Sequence, residues 1–148
     1  MLLDRGADVN VQGGDYGNAL YAASERSNEK IIQILLDRGA DVNGQGGDYG
    51  NALSAASARG NEKIVQILLD RGADINAQGG LYDTALSAAS ARGNEKIVQM
   101  LLDRGADVNV QGGDYGNALY AASERSNEKI IQILLDRGAD VNGQGGDY

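Results

Sequence analysis

The chain repeats itself every 33 residues along its whole length. The heptapeptide Leu-Leu-Asp-Arg-Gly-Ala-Asp begins at Leu2, Leu35, Leu68, Leu101 and Leu134. Self-similarity with a period of about 20 to 50 residues is typical of stacked architectures in which each unit contacts only its neighbours. We therefore expect a single domain over 1–148, with full units at 13–45, 46–78, 79–111 and 112–144 and partial units at 1–12 and 145–148.

A longer identity overlies this repeat. Residues 1–49 are identical to residues 100–148, an offset of three units. Recent duplication, homogenisation of the copies and deliberate design would each produce such an identity. Solenoids normally close with polar capping units, and neither end of this sequence has the pattern of a cap. The sequence is therefore interpreted as a piece of a longer array or as an engineered array without caps.

Each unit has the pattern of two short helices. In the first full unit, Asn18 is a good N-cap for a helix over about 19–26, and Asn28 is a good N-cap for a second helix over about 29–38. Gly39 is expected to end the second helix in the left-handed conformation. Isoleucine and leucine cover most of the second helix, so it needs burial on more than one side. Stacked neighbouring units provide that burial.

A glycine-rich segment joins consecutive units. Its sequence in the first full unit, Gln-Gly-Gly-Asp-Tyr-Gly, favours a tight hairpin turn because glycine tolerates positive φ. We expect the chain to approach each such turn in an extended, strand-like conformation, from Asp41 to Asn43 in that unit. The alternative of a phosphate-binding loop is disfavoured, since no Gly-Lys-Ser/Thr triplet is present.

The composition excludes several kinds of chemistry. The chain has no Cys and no His, so it lacks the residues of zinc sites and of histidine bases. Carboxylates that recur in every unit favour a structural role, because a catalytic site is usually singular. We therefore expect no enzyme activity, no catalytic residue, no cofactor and no metal.

Charge and hydropathy bear on the partners and the location of the chain. Its formal net charge of −8 disfavours nucleic-acid binding, which uses clustered basic residues. No stretch approaches the roughly 20 apolar residues of a membrane span, and no secretory signal is visible at the start. The expected protein is cytoplasmic, without a nucleic-acid or membrane partner.

The units resemble a known family. The pattern Asn-Ala-Leu-x-Ala-Ala, followed at 60–76 by Gly-Asn-Glu-Lys-Ile-Val-Gln-Ile-Leu-Leu-Asp-Arg-Gly-Ala-Asp-Ile-Asn, resembles the ankyrin repeat over the entire chain. It is similar to the nearly identical arrays of filamentous fungi, some of which follow receptor-like NTPase modules. The resemblance implies an all-α, right-handed ankyrin-repeat solenoid, with a helix-turn-helix and a β-hairpin or loop in each unit.

Two departures from the family pattern have structural consequences. The family motif Thr-Pro-Leu-His is replaced by Asn18-Ala19-Leu20-Tyr21, so the hydrogen bond between Thr and His cannot form. The hairpin glycine is replaced by one tyrosine per unit. Since aromatic rings at a fixed spacing can stack, a row of tyrosines along the hairpins is predicted, formed by Tyr16, Tyr49, Tyr82 and Tyr115.

The resemblance also implies a partner-binding surface, made of the hairpin tips and the exposed side of each first helix. On this chain the tip positions are Asp15, Asp48, Leu81 with the nearby Asp83, and Asp114. The helix positions are Tyr21, Tyr120 and a row of arginines, Arg26, Arg59, Arg92 and Arg125. Tyrosine and arginine are enriched in binding hot spots. The alternative is a solvated face whose arginines pair with Glu25, Glu124 and the tip aspartates.

We therefore expect a non-catalytic module that binds a protein partner on its concave face. The alternative is a structural or engineered scaffold, or a detached fragment of a receptor-like sensor array, with no partner of its own. The chain is expected to be a monomer, and end-to-end self-association through its uncapped ends is left open.

Overall fold

The computed structural model describes residues 8–11 and 18–142, and within these residues the chain forms four pairs of short helices. The expected tip Asp15 and the expected row member Tyr16 lie outside the described residues. No strand is present in the described part, where an isolated bridge joins Gly112 and Gly116. The fold is the expected all-α repeat solenoid. Its helices are α1 Ala19–Glu25, α2 Glu29–Asp37, α3 Ala52–Arg59, α4 Glu62–Asp70, α5 Ala85–Ala91, α6 Glu95–Asp103, α7 Ala118–Glu124 and α8 Glu128–Asp136.

The helix starts are set by the expected capping side chains. Asn18 Oδ1 accepts from Tyr21 N at 2.8 Å at the start of α1, and Asn28 caps α2 in the same way. Asn94, at the start of α6, behaves differently: its amide donates to the carbonyls of Ser57 and Ala58 in α3. One capping position thus joins two units instead of closing its own helix.

The turns after the helices follow from left-handed residues. Gly39 has φ +92° just after α2, as expected for a glycine that ends a helix. Between the two helices of a pair, Gly60 and Gly93 are left-handed, and Ser27 takes the same conformation with φ +56°.

The expected extended exit from Asp41 to Asn43 is wrong, because the chain turns there. Asn43 N donates to the Asp41 carboxylate at 2.9 Å, and Gly44 N donates to the Asp41 carbonyl at 3.0 Å. An aspartate side chain that accepts from the backbone two residues later stabilises a turn rather than a strand. The Asp41 N–H is taken up by Asn10 of the preceding unit at 2.8 Å.

The core runs through the stack as one continuous apolar layer. Most of its largest fully buried members come from the second helices, Ile32, Ile64, Leu68, Ile97, Leu101, Ile130 and Leu134, and one, Leu86, comes from a first helix. The first helices contribute mainly small residues beside one buried leucine each in α1, α3 and α5, with Ala55, Ala56, Ala88 and Ala89 fully buried. Because alanines allow close approach, the first helices pack much more tightly on one another than the second helices do. The array therefore curves toward its first helices.

We call the surface of the first helices and their preceding turns the inner face, and the surface of the second helices the outer face. No helix in 8–11 or 18–142 is long and apolar enough to cross a membrane.

Candidate partner-binding face

The turns form one edge of the inner face. Each of the three turns that the structure describes is closed by a backbone hydrogen bond, for example from Gly46 N to the Gly50 carbonyl at 2.9 Å. Successive tips are joined as well: Leu81 N donates to the Asp48 carbonyl at 2.9 Å, and Asp114 N donates to the Leu81 carbonyl at 3.2 Å. The tip residues Asp48, Leu81 and Asp114 therefore stand in line with their side chains exposed, and Leu81 is 39 % exposed.

The predicted tyrosine row is confirmed for Tyr49, Tyr82 and Tyr115. The rings of Tyr49 and Tyr82 stack with centroids 5.8 Å apart and planes at 14°, and those of Tyr82 and Tyr115 lie 4.7 Å apart at 34°. Tyr82 is buried against the alanines of the first helices, and this burial raises its pKa. The flanking tyrosines are half-buried, so the row is anchored in the structure and open along one side.

The arginine row lies beside the tyrosine row. All four arginines are exposed and end the first helices, Arg59 as the last residue of α3 and the others one position beyond their helices. Arg59 Nε donates to Glu25 at 2.8 Å, and Arg92 donates to the Tyr49 hydroxyl at 2.9 Å. Arg125 lies beside the side chain of Tyr115, which raises the pKa of Arg125. Arg59 therefore pairs with Glu25, as the alternative of a solvated face predicts. The inner face carries cationic donors set against phenol rings.

Tyr21 does not have the exposed position that was expected for a partner contact. It is 1 % exposed, and its hydroxyl accepts from Tyr49 N at 2.9 Å. Burial raises the pKa of Tyr21 to about 12. A Cβ added at Gly47 would collide with the ring. Tyr21 therefore supports the turn of the next unit, while the equivalent Tyr120 of α7 is half-buried.

Asp83 is also buried, contrary to its expected position at the binding surface. It is 8 % exposed, and its carboxylate accepts from Gln78 Nε2 at 2.7 Å and from Gly79 N at 3.2 Å. The backbone is left-handed there, with φ +71°, a conformation that aspartate tolerates better than most residues. The neighbouring units have Gly50 and Gly116 at this position. That exchange is the sequence signal that could have identified Asp83 as a turn residue.

The outer face carries regular contacts between units that the sequence reasoning missed. Arginine–aspartate pairs at 2.7 to 3.0 Å join residues 34 positions apart, Arg71–Asp37, Arg104–Asp70 and Arg137–Asp103. Lysine–glutamate pairs at 3.5 to 3.7 Å do the same, Lys63–Glu29, Lys96–Glu62 and Lys129–Glu95. We call these the outer ladders. The recurrence of both charges in every unit was the signal available for them.

Asparagines form a further ladder near the turns. Each accepts from the backbone N–H of an aspartate in the next unit at 2.7 to 2.8 Å, in the pairs Asn10–Asp41, Asn43–Asp74, Asn76–Asp107 and Asn109–Asp140. These carboxamides are therefore engaged in stacking the units. The described residues hold no cluster of His, Cys, Asp or Glu that could ligate a metal ion.

The architecture defines a solenoid of helix pairs with projecting turns. A family model described as ankyrin repeats (3 copies) matches residues 1–79 and 78–144. The chain therefore belongs to the ankyrin-repeat family. Ankyrin repeats are generally protein–protein interaction modules, and the family is typically non-catalytic. No curated protein matches this chain at a significant level.

Proposed function

We propose that this chain binds a protein partner on its inner face, without catalysis and without a cofactor. The observation that carries the proposal is the exposed arginine row beside the tyrosine row. Arginine and tyrosine are the residue types that dominate binding hot spots, because each combines a broad contact area with directed hydrogen bonds. The exposed tips Asp48, Leu81 and Asp114 extend the same surface.

The two faces differ in what they offer a partner. On the outer face, the charged side chains of the outer ladders are engaged with neighbouring units. On the inner face, Arg92 and Arg125 contact phenols, and Leu81 is an exposed apolar side chain between two aspartates. Tyr21 and Asp83 act from below this surface by fixing the turns.

The test uses a photo-crosslinking side chain placed on each face in turn. One protein carries it in place of Leu81 at a tip, and the matched control carries it in place of the exposed Gln66 on α4. We expect a protein from lysate to crosslink at position 81 and not at position 66. Changing Arg26, Arg59, Arg92 and Arg125 together to Glu should abolish the crosslink. Equal crosslinking at both positions, or capture that survives the charge reversal, contradicts the proposal.

The second candidate is a structural scaffold with no partner beyond its own kind. It is supported by the outer ladders and the asparagine ladder, which repeat from unit to unit and would suit a rod of stacked units. In this case no protein crosslinks at position 81. Sedimentation then decides between the expected monomer and end-to-end assemblies that grow with concentration.

A further inference from the structure

One position on the inner face differs between units in a way that changes the charge of the arginine row. It is the residue immediately before each arginine. This residue is glutamate in the first and the last full units, Glu25 and Glu124, and alanine in the two units between them, Ala58 and Ala91.

In the first pair of units, the glutamate neutralises an arginine of the next unit. Glu25 Oε1 lies 2.8 Å from Arg59 Nε, 34 residues further along the chain. The Glu25 side chain is only 10 % exposed, so its carboxylate is held in the groove between α1 and α3. This contact raises the pKa of Arg59. The inner face therefore already contains one carboxylate that forms an ion pair with an arginine of the row.

In the next two pairs of neighbouring units, no glutamate stands at the position equivalent to Glu25. The residues 34 positions before Arg92 and Arg125 are Ala58 and Ala91, each 3 % exposed. Within residues 18–142, neither guanidinium forms an ion pair with a carboxylate, and each contacts a phenol instead. A guanidinium has five N–H donors and a permanent charge. A neutral phenol occupies one donor and leaves the charge uncompensated.

We propose that Arg92 and Arg125 bind two carboxylates of an acidic, extended segment of the partner, which take the places that glutamates would hold at positions 58 and 91. This inference rests on the proposed function and names the chemistry of the partner. The arginine–carboxylate contact is directional and can be bidentate, which gives it specificity as well as affinity.

The geometry sets the spacing of the two acidic residues. Packed helices lie about 8 to 10 Å apart, and an extended chain in the polyproline II conformation advances about 3.1 Å per residue with about three residues per turn. Side chains three positions apart therefore lie on the same side of such a chain, about 9 Å from one another, and both can face the arginine row. The partner motif is an acidic residue, two intervening residues and a second acidic residue.

The net charge of the chain does not exclude an acidic ligand. At physiological ionic strength charges are screened over about 8 Å. The carboxylates of the outer ladders lie on the opposite face and carry their own lysines and arginines. On the inner face, Glu124 and the exposed tips Asp48 and Asp114 repel the segment. Within the described residues, however, none of these three carboxylates forms an ion pair with Arg92 or Arg125. The two guanidinium groups therefore remain available to the segment, and the excess negative charge slows its approach more than it weakens the bound state.

The decisive variant is A58E/A91E, which supplies both missing carboxylates from within the chain. The fold accepts glutamate at this position in α1 and α7. The matched control is A58Q/A91Q, which has nearly the same size and no charge. The probe is an unstructured Gly/Ser peptide with two glutamates three residues apart, and the readout is the Nε–H signals of the arginines in an NMR titration.

With the unmodified chain, we expect the signals of Arg92 and Arg125 to shift and saturate, and that of Arg59 to stay in place because Glu25 holds it. A58E/A91E should weaken binding about tenfold or more, since it removes two charge-assisted contacts, while A58Q/A91Q should weaken it much less. E25A should bring the Arg59 signal into the response to a peptide with a third glutamate. A second variant, R92Q/R125Q, removes the same two charges from exposed positions and should lose binding equally.

Several results would overturn the inference. One is an equal response of Arg59, Arg92 and Arg125. Another is unchanged binding to A58E/A91E or to R92Q/R125Q, and a third is equal binding of the matching peptide with glutamines. Binding of an oligonucleotide or a phosphopeptide in place of the glutamate peptide would also overturn it.

The crosslink at position 81 separates this inference from the proposed function. If the partner still crosslinks to A58E/A91E as to the unmodified chain, the inner face binds a partner but the acidic segment is wrong. If the unmodified chain forms no crosslink at position 81, the proposed function itself fails.

Discussion

The outer and inner faces of this array are built from the same 33-residue period and differ in how completely its charges are paired. On the outer face, each described step from α2 to α8 repeats the same two ion pairs. On the inner face, one arginine meets a glutamate and the next two meet phenols. The units are thus uniform where they stack and vary where they face the groove. This contrast is consistent with a stacking role for the outer face and supports the recognition role that we propose for the inner face.

The largest effect on stability is expected at the turns of the inner face. Gly47→Ala places a Cβ against the buried Tyr21 ring at a backbone with φ +72°. A left-handed conformation costs an L-residue about 1 to 2 kcal/mol, and overpacking adds about 1 to 3 kcal/mol. We expect a loss of roughly 3 kcal/mol in the free energy of unfolding, measured with urea.

Gly72→Ala is the control for this change, because it has the same left-handed backbone with φ +95° and nothing within 4 Å of the added Cβ. It should cost only the conformational part. If the two variants are equally destabilised, Tyr21 does not press on the turn as described.

The next effect concerns the pH dependence of stability. Burial raises the pKa of Tyr21 to about 12, whereas the pKa of a tyrosine in the unfolded chain is about 10. The folded state therefore keeps a proton that the unfolded state releases, so this contribution to stability is full below pH 10 and is lost as the pH rises toward 12. Tyr21→Phe should make the free energy of unfolding less dependent on pH in this window.

The same variant has a second consequence at neutral pH. Tyr21→Phe removes the acceptor of the Tyr49 N–H, which costs about 1 to 3 kcal/mol when the donor stays buried. An unchanged stability at pH 7 together with an unchanged slope at high pH would show that the hydroxyl is not engaged.

A smaller effect distinguishes serines at one position of the first helices. The hydroxyls of Ser57 and Ser90 are buried without a hydrogen-bond partner, whereas Ser24 Oγ donates to the Leu20 carbonyl at 2.8 Å. Removing an unsatisfied buried hydroxyl should stabilise the fold by about 1 kcal/mol. Ser57→Ala should therefore raise the free energy of unfolding, and Ser24→Ala should not. Thermal unfolding of the two variants side by side checks the difference in sign.

The smallest effect is expected on the outer face. Exposed ion pairs contribute about 0 to 1 kcal/mol each and are screened by salt. Arg104→Gln breaks the pair with Asp70 and should cost less than about 1 kcal/mol, with the difference shrinking at high salt. A larger, salt-independent loss would mean that the outer ladders hold the array together.

Much of the fold follows from the sequence, because its signals are local or periodic. The 33-residue period predicts the stacking, asparagine before an apolar run predicts the helix starts, and Gly39 predicts a helix end. The tyrosine row was also predictable, since one ring per unit at a fixed position must recur along a regular stack. The turn at Asp41 was missed because its carboxylate competes with the extended backbone, and alternation alone does not reveal that competition.

The repeat, the helices and the alignment of equivalent residues along the array all follow from the amino-acid sequence alone. Which of those residues are available to a partner depends on how the units pack. The sequence predicts Tyr21 at the surface, whereas the packing of the next turn buries it; the sequence predicts Asp83 as a tip contact, whereas the turn encloses it. Likewise, the ion pair between Arg59 and Glu25 joins residues that are 34 positions apart in the sequence and lie on neighbouring first helices. The physical reason is that a period fixes which positions are equivalent, while burial and pairing depend on the distances between units that only stacking sets.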